Sequence, residues 1–334
     1  MWNPFKNIDF SARPIWLTAT YYAAGAVLLA MLFVGWYWSR TPDLFWVTHK
    51  TNDQQTVIGY ATVDTLVRVA ETLLDKPGGY LTNDKTPPSV LLDNIPNWEF
   101  GVLQQIRDLA RVIRNDYSRS QSQSREDADV SIAEPKFFFD SNSWILPPTE
   151  SRYREGIEGF THYRDRLAGL YGPDAQFFAR ADNLREWLAQ VEKRLGSMTR
   201  RLGDSVVTSV INTDLAGDAA AEANSTLADS VYVRTPWFEI DDVFYEARGT
   251  SWALVHFFRA VEIDFAHVLA DKNARASIRQ IIREFEASLA PVHSPMILNG
   301  SGFGLFPNHS LVMSSYLARA NAAIINLREL LDKG

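Results

Sequence analysis

Apolar residues return every three or four positions along most of this chain, the rhythm of a helix with one buried face. Between positions 57 and 74 they fall at Val63, Leu66, Val67, Ala70, Leu73 and Leu74, and Pro77-Gly78-Gly79 ends the pattern. A second stripe (Val102, Leu103, Ile106, Leu109, Ala110, Ile113) follows Asn97, whose short polar side chain suits an N-cap, with Glu99 near the positive end of the helix dipole. A third helix is predicted over 149–170, from Thr149 to the stop at Gly172-Pro173. The most regular stripe is Phe177, Ala181, Leu184, Leu188, Val191, Leu195, Met198 and Leu202, stepping alternately by four and three. Such a seam packs inside a helical bundle, or between chains as a coiled coil. Thr235-Pro236 predicts a further start, of a helix kinked at Gly249 and ending near Ala270. Ile278, Ile281, Ile282, Phe285 and Leu289 mark another, stopped by Pro291, and the last runs from Asn308 to Leu331. No sustained alternation of period two occurs after residue 40. The predicted class is all-α, one apolar N-terminal helix followed by a helical-bundle domain that could divide into two sub-bundles.

The exception to amphipathic patterning is 15–38, which contains no charged residue. As a helix it spans roughly 36 Å, enough to cross the hydrocarbon core of a bilayer. Trp16, Tyr21 and Tyr22 lie towards one end and Trp36, Tyr37 and Trp38 at the other, where amphipathic rings favour the headgroup level. The run is longer than the apolar region of a cleaved signal, and Trp36-Tyr37-Trp38 is too bulky for a signal-peptidase site, so an uncleaved signal anchor is expected. Lys6 and Arg13 before the span balance Arg40 and Lys50 after it, and orientation is left to the short leading segment, which favours a cytoplasmic N-terminus. Ala19, Ala23, Ala26 and Ala30 offer small-residue spacing through which two spans could pair into a homo-oligomer, although single alanines are common in membrane helices. The layout expected is a cytoplasmic stub at 1–14, an anchor at 15–38, a first helical bundle region at 41–202, a weakly patterned connection at 203–230 and a second helical region at 231–334.

Composition narrows the functional classes. Lys and Arg number 33 against 40 Asp and Glu, and setting aside Lys6, Arg13 and Asp9 leaves a net charge of −8 on the remainder. Nucleic-acid affinity comes largely from basic groups neutralising phosphates, so a nucleic-acid partner is not expected. Cysteine is absent, which excludes disulfides and thiolate metal sites and suits an oxidising compartment. Residues 118–127 contain no apolar side chain, so they either continue the preceding helix as a solvated end or stay disordered. The proline-bounded stretch 135–148 carries Phe137, Phe138, Phe139, Trp144, Ile145 and Leu146 and is predicted extended, as a lid over the bundle or a rim that receives a partner.

Several strings in 95–150 carry a resemblance. Pro96-Asn97-Trp98-Glu99-Phe100-Gly101-Val102-Leu103, Arg114-Asn115-Asp116 leading into Ser118-Arg119-Ser120-Gln121-Ser122-Gln123-Ser124, and Glu134-Pro135 before Phe137-Phe138-Phe139-Asp140 resemble an uncharacterised proteobacterial family of single-pass inner-membrane proteins, a domain of unknown function. The resemblance extends over the whole chain and implies a Gram-negative envelope protein. It implies no activity and no catalytic residues.

Candidate chemistry is sparse. Glu239, Asp242 and Glu246, with Asp241 beside them, form the densest carboxylate cluster, and the three share a helix face. They could act as acid and base or hold a divalent cation, although acidic groups after Pro236 also simply complement the helix dipole. Arg248 is close enough in sequence to neutralise one of them. Glu155, Glu158, His162 and Asp165 line one face but lack the paired Glu-x-x-His of bundle metal sites, so pairing with Arg154, Arg164 and Arg166 is expected. His256 and His267 are expected in the core among phenylalanines, and Asn299-Gly300-Ser301-Gly302-Phe303-Gly304 as a connecting loop with positive φ angles. No cofactor or metal is expected. The leading expectation is a non-enzymatic membrane-anchored scaffold or adaptor of the bacterial inner membrane, its periplasmic domain docking an envelope protein with Phe137, Phe138, Phe139 and Trp144 as contact residues. The alternatives are a periplasmic hydrolase or metal-dependent enzyme using Glu239, Asp242 and Glu246, and a helical domain that binds a lipid or small ligand.

Overall fold

The computed structural model describes residues 15–52, 55–121, 123–172, 175–206, 208–211, 230–294, 296–301 and 304–333. The predicted stub, residues 212–229 of the predicted connection, Pro173, Gly302 and Phe303 lie outside the described residues. The described chain is all-α apart from two short antiparallel ribbons. In order it comprises α1 (Ile15–Trp38), β1 (Thr51–Asn52), β2 (Gln55–Thr56), α2 (Tyr60–Asp75), α3 (Asn94–Val112), α4 (Ala128–Ala133), α5 (Thr149–Leu167), α6 (Ala181–Gly203), β3 (Thr208–Ile211), β4 (Ser230–Val233), α7 (Ile240–Asp264), α8 (Ala266–Asp271), α9 (Arg275–Ser288) and α10 (His309–Asp332). β1 pairs with β2, and β3 with β4 across the weakly patterned connection.

The long helices run between two ends, α3, α5, α7 and α10 in one direction and α2, α6 and α9 in the other. At one end the last turn of α1 meets the domain: a Cβ on Gly35 would lie 3.6 Å from Pro88, and Trp38 covers Gly78. We call this the anchor end. Here α2 finishes, α3 begins under the 88–93 turn, α7 begins beside α3 through Asn97 and Asp242, and α10 begins where His309 faces Phe244. At the far end Asp264 of α7 meets Thr62 of α2, Asn183 of α6 meets Asp116, and Arg185 pairs with Asp332 of α10.

One continuous apolar core fills the bundle. It includes Leu66, Val102, Leu109, Phe160 and Leu188 from the first region and Phe257, Phe258, Phe285, Leu317 and Leu327 from the second. The expected division into regions 41–202 and 231–334 therefore does not correspond to two sub-bundles with separate cores. The seam from Leu184 to Leu202 is buried along its length and packs inside its own bundle, mainly on α10. Phe177 lies just before that helix, ring to ring with Tyr117 at 5.0 Å.

Several boundaries move for identifiable reasons. Asp93, not Asn97, caps α3, accepting from the Asn94 amide at 2.8 Å, and Asn97 instead donates to Asp242 across the bundle. Thr149 is the first residue of α5, and its hydroxyl lies within hydrogen-bond distance of the carbonyls of Asp140 and Ser143. α7 passes through Gly249 as a continuous helix and breaks at Phe265. Gly249 serves close approach instead: a Cβ there would sit 2.0 Å from the Trp98 carbonyl, and one on Gly101 2.1 Å from the Glu246 carbonyl. The backbones of α3 and α7 thus nearly touch. The polar run 118–127 is tied down by its own groups, with Arg119 donating to the Ser124 carbonyl at 3.0 Å and Arg114 bridging Glu126 and Glu134 at 2.9 Å each. Residues 135–148 are not extended; a short 3-10 turn (Glu134–Phe138) opens them.

Candidate functional site

The carboxylates singled out by sequence do not converge. Glu239 is exposed just before α7, and Glu246 is buried and holds Arg201 of α6 at 2.7 Å. Asp242 accepts from Asn97 at 2.6 Å. Its carboxyl is pushed up to about 6, first by burial and then by the negative charges of Asp241, Asp93, Glu239 and Glu246. Among the described residues no group of three or more His, Asp or Glu is placed to hold a metal ion. On α5, Asp165 pairs with Arg164, but Glu155 pairs with Arg152 and Lys136, while Arg154 reaches Asp75 and Arg166 reaches Asp127 and Asp129. His256 is buried with both ring nitrogens engaged, by the Trp252 carbonyl at 2.7 Å and the Phe45 amide at 3.1 Å. Burial lowers its pKa to about 3, so it stays neutral in the fold. His267, expected in the core, is exposed on α8. Gly300 is required by close approach to the Phe306 carbonyl, 2.1 Å from where its Cβ would be, rather than by a positive φ.

The four aromatic contact candidates separate as well. Phe137 is buried, stacked on Phe160 at 5.8 Å and unable to meet a partner. Phe138 is partly exposed beneath the Arg111 guanidinium, 4.4 Å from its ring centre. Phe139 packs against the core, and only Trp144 of the four is more than half exposed. Of the anchor aromatics, Trp16, Tyr21, Tyr22, Trp36 and Tyr37 are exposed on α1, whereas Trp38 packs against the domain.

The concave surface lies elsewhere, where two open clefts meet at Arg248 on α7. The first, of about 390 Å³, runs between α9 and α10 and is walled by Phe244, Val292, Val312 and Met313, with Ser288, His293, Ser294, His309 and Tyr316 among its polar members. The second, of about 760 Å³, lies between the 39–44 linker and α7, with Trp98, Tyr245 and Trp252 in its wall. Arg248 occupies the junction because α9 ends there: its guanidinium donates to the carbonyls of Ala290 and Leu289 at 2.9 and 3.0 Å, groups that a helix C-terminus leaves without partners. It pairs with no carboxylate among the described residues, and burial pulls its pKa below the ordinary arginine value. Two acids line the second cleft, Asp43 and Glu286, and Glu286 is held by Arg259 at 2.7 Å. His309 accepts from the Leu298 amide through Nδ1 at 3.0 Å, which leaves Nε2 carrying the proton in the neutral ring. The arrangement presents a cation and a ring donor over apolar walls, suited to an anionic group attached to an apolar body. Sequence reading placed Arg248 beside the acidic cluster; Arg201 has that role. No local signal joins Arg248 to residues 289–292, because the two meet only through the packing of α7 on α9.

A family model described as an uncharacterised protein conserved in bacteria (DUF2333) matches residues 11–334. The chain belongs to that family. Neither a curated protein nor a solved structure matches it. Within this bacterial family the conspicuous feature of the chain remains α1, of which residues 16–38 are long and apolar enough to cross a membrane and lie clear of the domain except at the last turn.

Proposed function

We propose that this chain is a non-enzymatic docking module of the bacterial cell envelope. α1 anchors it in the inner membrane with its N-terminus in the cytoplasm, and the helical domain stands in the periplasm and holds a partner protein. The observation that carries the docking role is Arg248, a partly desolvated cation with no carboxylate of its own between two open clefts. Desolvated arginines beside aromatic walls are typical anchors of protein recognition. The periplasmic placement is supported by the cysteine-free composition and by an apolar span with the domain following it.

A photo-crosslinking residue at Tyr316, inside the first cleft, tests the docking role in living cells. The expected result is a discrete adduct that disappears with Arg248→Glu and does not form from the same probe at Ile325. An adduct that persists in Arg248→Glu, or none at all, counts against the reading. An alkaline phosphatase fusion after Lys333 tests orientation, since that enzyme is active only when exported; an inactive fusion reverses the topology.

A second reading is favoured by the volume of the first cleft, about 390 Å³, which lies in the range of small-ligand sites. It makes the occupant an amphipathic anion such as a fatty acid, and native mass spectrometry of the detergent-extracted chain would detect it. The hydrolytic alternative rests on the raised pKa of Asp242 and is weakened by the engagement of Glu246 with Arg201.

A further inference from the structure

The anchor end of the domain gathers five strongly exposed apolar side chains from the described loops, whereas Trp46, also exposed, lies along the side of the bundle beside Arg68 and Arg259. Leu91 is 75 % exposed, Leu146 89 %, Phe238 81 %, Leu305 100 % and Phe306 70 %. They belong to four separate connections: 76–93, 139–148, the segment leading into α7, and 289–308. Contacts place all four at the same end. Leu91 sits between Pro88, which faces Gly35 of α1, and Leu92, which does the same. Leu146 belongs to the turn whose Ser143 carbonyl accepts from Asn83 at 2.9 Å and whose Ser141 carbonyl accepts from Tyr80, both on the loop that Trp38 covers through Gly78. Phe238 shares a small cleft with Asp93, Ile297 and Asn299, and Phe306 closes over Gly300 next to it.

No free linker separates this end from the anchor. The apolar span ends at Trp38, and the ring of Trp38 itself lies on the domain. Aromatic residues ending a membrane span sit at headgroup depth. Whatever they touch is brought to that depth, so the 78–92 loop cannot stand clear of the bilayer that holds α1. Leu and Phe at loop tips then meet a layer that accepts apolar groups, whereas in water they would remain an unexplained patch.

We infer that the loops of the anchor end form a second membrane contact: Leu91, Leu146, Phe238, Leu305 and Phe306 enter the headgroup layer of the same bilayer that α1 crosses. The inference rests on α1 spanning that bilayer. Asp93, Asp241 and Asp242 lie among these loops, and the domain is acidic overall, so the contact is apolar rather than an attraction to anionic lipid. It holds the domain upright and leaves the far end free in solution.

The absence of cysteine permits a direct test. Leu91→Cys, Leu146→Cys, Phe238→Cys and Phe306→Cys are made singly in the full chain, labelled with an environment-sensitive fluorophore and reconstituted in phosphatidylcholine vesicles. Quenching is measured with lipids carrying a nitroxide at a shallow or a deep acyl position. Leu28→Cys in α1 and Tyr171→Cys at the far end serve as references. Expected is shallow-nitroxide quenching at all four loop sites several-fold above Tyr171→Cys, unchanged in high salt, with Leu28→Cys quenched more by the deep nitroxide. The inference is overturned if Leu28→Cys is quenched while Phe238→Cys and Phe306→Cys behave like Tyr171→Cys. Quenching at Leu91→Cys alone also overturns it, because the seat of α1 would account for that site. If Leu28→Cys itself escapes quenching, the anchor reading fails and this contact falls with it.

Discussion

The two ends of the bundle are finished differently. At the far end polar groups close on one another. Asp264 accepts from the amide and hydroxyl of Thr62 at 2.7 Å each, Arg164 joins Asp64 and Asp165, and Arg166 joins Asp127 and Asp129. At the anchor end one ion pair is turned wholly inward. Lys76 and Glu99 form an ion pair whose side chains are wholly buried, and Glu99 also accepts from the amides of Leu81 and Thr82 at 2.9 Å, fixing the loop under Trp38. What this end also turns outward is apolar loop tips and, at Arg248, an arginine that pairs with no carboxylate among the described residues. The far end pairs its charges within the chain, whereas the proposed contacts with membrane and partner both fall at the anchor end.

The contrast predicts unequal costs. Glu99→Ala has the largest expected effect: it leaves the buried Lys76 ammonium without its counter-charge, held by the Gly79 carbonyl alone, and costs about 3–5 kcal/mol, read as a lowered urea midpoint of the full chain in detergent. A loss under about 1 kcal/mol would mean that the anchor-end loop is held by other means. Gly249→Ala comes next, at about 1–3 kcal/mol, since the new methyl must push α7 off the Trp98 carbonyl where helix backbones cannot yield easily; unchanged thermal unfolding would contradict the close crossing.

The far end gives a pH signature. Burial raises the Asp264 carboxyl from 3.8 to about 6. Between those values the native state holds more protons than the unfolded state, so this group makes stability fall as pH rises through the window, with the penalty complete above 6. His256 acts oppositely: its pKa drops from 6.5 to about 3, so the unfolded state holds the extra proton and stability falls as pH drops through that range. Asp264→Asn therefore makes acid unfolding steeper. Chemical denaturation at pH 7 and pH 4 should show the wild type gaining up to about 2 kcal/mol on the variant as pH falls. A difference independent of pH would place the carboxyl near its ordinary value. The smallest effect on stability belongs to Leu91→Ser with Phe238→Ser, within about 0.5 kcal/mol because both side chains are exposed. A larger loss would show that they pack within the protein.

Much of the helical architecture was legible in the chain. The four-three seam of Leu184, Leu188, Val191, Leu195, Met198 and Leu202 is buried as its spacing predicts, and Asn308 caps α10 by accepting from the Leu311 amide at 2.8 Å. Local signals fail where a residue answers to a distant one. Asn97 looks like a cap but reaches Asp242, and Gly249 looks like a kink but makes room for Trp98. His267 follows the apolar rhythm of its neighbours yet faces solvent, because the break at Phe265 rotates α8 away from the face of α7. The order in 118–127 was illegible for a related reason: its ties are hydrogen bonds and ion pairs, which leave no apolar periodicity to read.

By itself the sequence determined the apolar N-terminal helix, the all-α class and the seams that face inward, because those follow from composition and spacing within single segments. Only the tertiary structure decided that the two helical regions share one core, that Glu246 belongs to Arg201 while Arg248 meets no carboxylate among the described residues, and that four loops distant in sequence bring their apolar tips to the end where α1 attaches. Hydrophobic periodicity reports which face of a helix leaves water, whereas the partner of a charge and the end at which a loop emerges depend on how helices cross, and no single segment carries that information.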